Sequence, residues 1–438
     1  MRLYSTKNRS EFTSLREAVL RGLPPDNGLY MPESIPALPE PFIRNLKDYS
    51  FQDIAFTVTK TLFQGVIPDE DLRKITDDAV NFEAPVVSLN EHQHILELFH
   101  GPSLAFKDFG ARFMAQLMSY FNQGASRELV ILVATSGDTG GAVAAGFYQT
   151  PGTRVVILYP KGKVSDLQEK QLTTLGHNIS ALEVEGTFDD CQAIVKQAFL
   201  DEELTSRIRL TSANSINISR LVPQSFYYFE AFKQLENQEN VVFCVPSGNF
   251  GNLTAGLFAQ RMGLPVQHFI AATNINDVVP EYLESGAYTP RPSQRTLSNA
   301  MDVGNPSNFA RMQDLYHDLE ERSTWNSMKA SISGYAYTDE ATRKAVKEVY
   351  DRYGYVIDPH GAVGYLALQE YQEKNPGTNG VILETAHPAK FLPDVEVILG
   401  QSIHVPERLA ALADQEKVAD LMPPEYGPVK EWLLEYLG

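Results

Sequence analysis

The stretch His100-Gly-Pro-Ser-Leu-Ala-Phe-Lys-Asp-Phe-Gly110 sets a single lysine, Lys107, between a strand-like run and a helix-like run. The lead-in, Ile95 to Phe99, is mostly apolar and reads as a buried strand. Beyond Asp108, the residues Phe109, Phe113, Leu117 and Phe121 recur at helical spacing, to about Phe121. Lys107 is therefore expected at the mouth of a helix, where the peptide dipole presents its positive end. An ammonium is disfavoured there, which favours a neutral, nucleophilic amine. On this stretch alone, a solvated lysine at a loop–helix junction is the plainer reading. The residues further along shift the balance.

Downstream the texture alternates. Leu129–Ala134, Thr153–Tyr159, Ile179–Val184, Val241–Val245, Phe269–Thr273 and Val381–Leu383 are apolar strands. Between them lie helical patterns at Gly140–Tyr148, Asp189–Phe199 and Ser219–Leu235, and a capping box at Ser165–Gln168. This rhythm predicts parallel sheets with helices on both faces, and ligands beyond the carboxyl ends of the strands. Upstream, residues 1–80 read as a separate, mainly helical unit, with helices at Phe12–Leu23, Phe51–Phe63 and Asp69–Phe82. From about His404 the chain reads as a helical tail.

The 438 residues are ample for a large core. With 37 Lys and Arg against 55 Asp and Glu, the formal charge is -18, so a nucleic-acid face is not expected and any phosphate site must be built locally. Cys191 and Cys244 show no paired spacing, and no apolar run approaches a membrane span. The opening residues, Met1 to Arg16, are too polar for a secretory signal, and a cytoplasmic location is expected. The histidines form no His-Glu-x-x-His spacing, and His92 and His94 read as a surface pair, so no metal site is expected.

Four motifs sit at strand ends. Thr135-Ser-Gly-Asp-Thr-Gly-Gly141 places hydroxyls and bare backbone N–H groups at a helix start, an anion cradle. Pro246-Ser-Gly-Asn-Phe-Gly-Asn252 follows the same logic, with Gly248 and Gly251 letting the backbone wrap a phosphate; it is neither a Walker loop nor a dinucleotide fingerprint. Asn214-Ser-Ile-Asn-Ile-Ser-Arg220 combines a guanidinium fork with neutral donors, which suits a phosphate dianion but also a polar surface loop. In Glu384-Thr-Ala-His-Pro-Ala-Lys390, Thr385 could aim a hydroxyl at a ring nitrogen, while His387 reads as a core or capping residue. One lysine and two or three anion cradles fit pyridoxal phosphate acting on a substrate with its own charged groups.

At these residues the chain resembles the threonine synthases of the long bacterial and fungal type, over almost its whole length. Further carriers are Asn27-Gly-Leu-Tyr-Met-Pro32, Leu297-Ser-Asn-Ala-Met-Asp302 and Thr385-Ala-His-Pro-Ala-Lys-Phe391. Ser103 stands where many relatives carry Thr, and the last thirty or so residues match least. The resemblance implies an α/β, tryptophan-synthase-β-like fold (fold type II of pyridoxal-phosphate enzymes). It implies an amino-terminal domain over 1–80, a catalytic core of two parallel-sheet subdomains over 81–400 and a helical tail over 401–438. It also implies conversion of O-phospho-L-homoserine and water to L-threonine and phosphate, by a monomer or homodimer.

By residue, the resemblance makes Lys107 the Schiff-base lysine and Gly248, Asn249, Phe250, Gly251 and Asn252 the cofactor-phosphate loop. Thr385 becomes the partner of the pyridine nitrogen, and Asp138 lies by the cofactor ring. Ser136 and Thr139 face the substrate carboxylate, and Asn214, Ser215 and Arg220 take the substrate phosphate. A phospholyase of the same scaffold, giving 2-oxobutyrate, ammonia and phosphate, stays open at this point. A non-enzymatic binding protein of this fold would lack the lysine or a phosphate loop, and both are present. A dehydratase or sulfhydrylase would have no use for the Asn214–Arg220 group.

Overall fold

The computed structural model describes residues 1–317 and 323–437. The first three strands are β1 (Arg2–Ser5), β2 (Asn8–Ser14) and β3 (Tyr30–Pro32), an antiparallel sheet in the order β2-β1-β3. This sheet was not expected, and it replaces the first part of the helix read over Phe12–Leu23. The chain is strand to Ser14 and helix only from Leu15 to Arg21. Ser14 makes the switch, because its side chain accepts the backbone N–H of Glu17 and so starts the helix at Leu15. The strand pattern was faint because β2 is mostly solvent-exposed and carries few apolar residues to alternate. Beyond it come the helices Glu40–Arg44, Phe51–Phe63 and Asp69–Ala79, and Phe51–Phe63 opens on a Ser50/Asp53 capping box.

Strands β4 (Val86–Asn90) and β5 (Gln93–Glu97) form a hairpin. There follow β6 (Leu129–Ala134), β7 (Thr153–Pro160), β8 (Ile179–Val184), β9 (Arg209–Ser212), β10 (Val241–Pro246), β11 (His268–Thr273), β12 (Ile332–Ala336), β13 (Asn379–Glu384) and β14 (Asp420–Met422). They build two sheets, β12-β11-β10-β13-β5-β4 and β14-β8-β7-β6-β9. Every pair in them is parallel except β4 with β5. All six residues of β6, β10 and β13 are buried, as strands covered by helices on both faces must be.

The tail is not purely helical: β14 pairs with β8 and forms the edge of that sheet before the helix Tyr426–Leu437. Three residues are too short to show a period of two, so local pattern could not have found it.

The amino-terminal unit shares its core with the Lys107–Asn122 helix. Phe51 and Phe82 pack on Phe109, with ring centroids 5.8 and 4.6 Å apart, and Phe63 packs on Phe113 at 6.2 Å. The apolar stripe that marked this helix thus faces the amino-terminal unit, and its first residue is free to serve a site.

Candidate active site

Lys107 is the first residue of its helix and is half-buried. The loop before it is stitched to the end of β13. Leu98 donates to the Glu384 carbonyl, Phe106 to that of Thr385, and His387 to that of Leu104, at 2.9–3.0 Å. Thr385 is therefore held beside Lys107 and is itself buried. His387 caps the following turn, accepting the Ala389 N–H on Nδ1, and burial pulls its pKa down to about 4.

Burial pushes the Lys107 amine below its ordinary pKa, Asp138 opposes that shift, and the Lys390 and Arg220 cations add to it. Asp138 opens the helix Asp138–Phe147 and sits at the centre of a buried group. Its Oδ1 accepts Lys390 Nζ at 2.7 Å and Gln168 Nε2 at 2.9 Å. Burial raises its pKa, but the Lys390 and Lys107 cations outweigh that and leave it well below the usual carboxylate range. Lys390, whose side chain is 0% exposed, also donates to the Ser103 carbonyl at 2.8 Å. Ser136 is exposed and Thr139 half-buried on the same turn, which Thr135 Oγ1 closes by accepting the N–H groups of Gly137 and Gly140.

The Gly248–Asn252 loop runs from β10 into the helix Gly251–Arg261. Phe250 is in the left-handed region at φ 61°, so successive N–H groups converge into a nest at the positive end of that helix. A Cβ on Gly248 would lie 2.7 Å from the Ala300 carbonyl, so only glycine lets this turn pass so close. Asn252 accepts both Tyr227 and Tyr228 hydroxyls on Oδ1, and its Nδ2 is buried without a partner.

Asn249 joins this loop to the next group. Its amide donates to Ser215 Oγ and accepts from Ser307. Arg220 is 3% exposed, donates to the Ala213 carbonyl, and lies against Gly110 of the Lys107 helix. Burial lowers its pKa to about 10, which still leaves it charged at neutral pH. Its Nε and the Asn214 Oδ1 are buried and unpartnered. A buried cation with an unused donor is a costly arrangement unless an anion completes it.

Two residues that local reading did not single out support this geometry. Lys390 was visible only as part of a motif, since its meaning depends on Asp138. Arg311, fully buried, donates to the carbonyls of Tyr30, Ser215 and Ile216 and to Asn308 Oδ1, at 2.7–3.3 Å. It clasps strand β3 to the loop carrying Asn214 and Ser215.

These residues fit a phosphate-bearing cofactor. The nest at Phe250 and the free Asn252 amide would receive its phosphate, and Lys107 and Thr385 flank the place for its ring.

Comparison with known proteins supplies the context. The family of pyridoxal-phosphate dependent enzymes matches residues 85–385, the threonine synthase N terminus 2–80, and the threonine synthase C-terminal family 361–433. Threonine synthase of Escherichia coli (strain K12) is 44% identical over 438 residues, covering 100% of both chains. Its crystal structure superposes with a TM-score of 0.92 over 100% of both chains. A pyridoxal-phosphate-bound threonine synthase from Brucella melitensis superposes at 0.94 with 35% identity, covering 100% of this chain and 99% of that one.

Proposed function

The chain belongs to the threonine synthase family of pyridoxal-phosphate-dependent enzymes, and from that premise we propose that its substrate is O-phospho-L-homoserine, converted with water to L-threonine and phosphate. Threonine synthesis is the activity, and pyridoxal phosphate is the cofactor. The observation that carries the substrate is the second anion site. Arg220 and Asn214 each hold a buried, unpartnered polar atom, and Ser215 of the same segment is bonded to Asn249, so a second anion would sit next to the Gly248–Asn252 cradle, which suits a phosphate on the substrate.

In this reading Lys107 carries the cofactor, and Gly248, Asn249, Phe250, Gly251 and Asn252 hold its phosphate. Thr385 meets the pyridine nitrogen, Asp138 lies by the ring, and Ser136 and Thr139 hold the substrate carboxylate. Pyridoxal phosphate supplies an electron sink that makes the substrate's Cα and Cβ protons acidic. The neutral Lys107 amine takes those protons. Phosphate leaves Cγ with the electron pair of the C–O bond, and Arg220, Asn214 and Ser215 donate hydrogen bonds where that charge develops. Cγ then gains a proton, the water oxygen adds at Cβ as that water gives up one proton, and Cα regains the proton it lost, which leaves L-threonine and phosphate. The two free, buried cysteines fit a reducing compartment such as the cytoplasm.

The test is a product assay on the cofactor-loaded protein with O-phospho-L-homoserine, and Lys107→Ala as control. Phosphate and threonine in equal amounts, absent from the control, are expected. Phosphate with 2-oxobutyrate would instead mark the phospholyase outcome, which the full-length relatives do not favour.

A further inference from the structure

We propose that Lys390 is a positioning residue: it claims the carboxylate of Asp138 as its own ion-pair partner, so that Lys107 is left without a counter-ion. The inference rests on Lys107 being the lysine that carries the cofactor.

The geometry is specific. Lys390 is 2% exposed and enters the site from the turn Pro388–Phe391, which begins three residues after Thr385. It spends one donor on the Ser103 carbonyl at 2.8 Å, which fixes the ammonium over the loop leading to Lys107. A second goes to Asp138 Oδ1 at 2.7 Å. Gln168 Nε2 reaches the same oxygen at 2.9 Å, so Asp138 is held from two sides, and Lys107 makes no bond to it. Four charged groups bear on this corner. Asp138 favours the protonated Lys107, while Lys390 and Arg220 disfavour it. Asp108, buried and pushed up to about 6 by that burial, interacts with Lys390 and Arg220.

An unpaired carboxylate in a buried site takes the nearest cation as its partner. Without Lys390, that cation is Lys107. An ammonium so paired can neither attack an aldehyde nor remove a proton from carbon. Lys390 thus acts on the chemistry through Asp138 and touches no reacting atom in this account.

The experiment measures Lys107 directly, without turnover. The full-length chain, stripped of cofactor, is mixed with pyridoxal phosphate between pH 6 and pH 10, on the order of the range where a lysine of shifted pKa titrates. Attachment, in which the amine condenses with the aldehyde and releases water, is trapped with borohydride and located by peptide mass. Its rate rises with the neutral fraction of the amine, so its midpoint reports that group. In Lys390→Met the midpoint is expected to rise by about one pH unit or more, a roughly tenfold slower attachment near neutrality. In Asp138→Asn it is expected to fall. The double variant should return to within about half a unit of the parent, because neither charge is left. Lys390→Arg should keep the parent midpoint.

An unmoved midpoint in Lys390→Met, or a double variant no closer to the parent than Lys390→Met, overturns the proposal; a packing role for Lys390 would not be reversed by removing a second charge. Should Lys390→Met not fold, Asp138→Asn decides, since an unmoved or raised midpoint there removes the interaction. Label on another lysine in the parent chain would instead overturn the cofactor assignment of Lys107, and the proposal with it.

Discussion

Arg220 illustrates what a single side chain contributes here. It is buried, charged, tied by one bond to the Ala213 carbonyl, and has a donor to spare. Arg220→Ala is expected to lower kcat for O-phospho-L-homoserine by about 100-fold or more, the usual cost of losing a donor to developing charge. Near-parental turnover from a folded variant would remove it from the site. In the proposed role of Thr385, a hydroxyl would leave the pyridine nitrogen largely unprotonated, while a carboxylate would not. Thr385→Asp is therefore expected to retain cofactor but release side products alongside threonine, and a threonine-only profile would contradict this. Lys107, Arg220 and Thr385 could be picked out in the sequence because each stands in a motif of small and polar residues. Lys390 and Arg311 could not be given roles, because each is defined by partners far away in the chain.

Whole strands and helices were the most legible level where both faces are buried. The limits expected for β6 and β8 are those observed, since apolar runs bounded by turns leave little choice. Exposed or very short elements, such as β2 and β14, carried no such signal. Packing between elements is tight enough to test. The helix Pro359–Lys374 lies against β13 at Gly361, where an added Cβ would fall 1.6 Å from Glu384 Oε2. Glu384 is fully buried, and its other oxygen accepts the Asp358 N–H at 2.6 Å. Gly361→Ala should therefore cost about 1–3 kcal/mol in chemical denaturation, as overpacking does. Arg311→Met should cost about 3 kcal/mol or more, because it leaves the Tyr30, Ser215 and Ile216 carbonyls without that donor. It should also raise KM, because the Ser215 loop loses its clasp; an unchanged KM would mean the loop holds itself.

For the molecule as a whole, two half-buried histidines contribute to the response to acid. His268 and His387 are both pulled down to about 4 by burial. The folded chain keeps them neutral while the unfolded chain takes up protons from about pH 6.5, so their effect is a stability that falls as pH drops from there towards 4. Asp108, raised to about 6, works the other way, contributing stability at low pH that is lost as pH rises through 6. His268→Gln should accordingly gain up to about 2 kcal/mol on the parent between pH 7 and pH 5, read from paired denaturation curves. A constant gap would show that His268 protonates freely in the folded state. The Arg311 clasp has a consequence in time as well. Tyr30 and Arg311 lie 281 positions apart, so the Asn214–Ser215 loop takes its final shape only after segments from remote parts of the chain have met. Such contacts close late. In refolding of a Trp432→Phe variant from denaturant, fluorescence of Trp325, whose indole donates to the Leu283 carbonyl only 42 positions away, should recover first, and turnover should lag behind it.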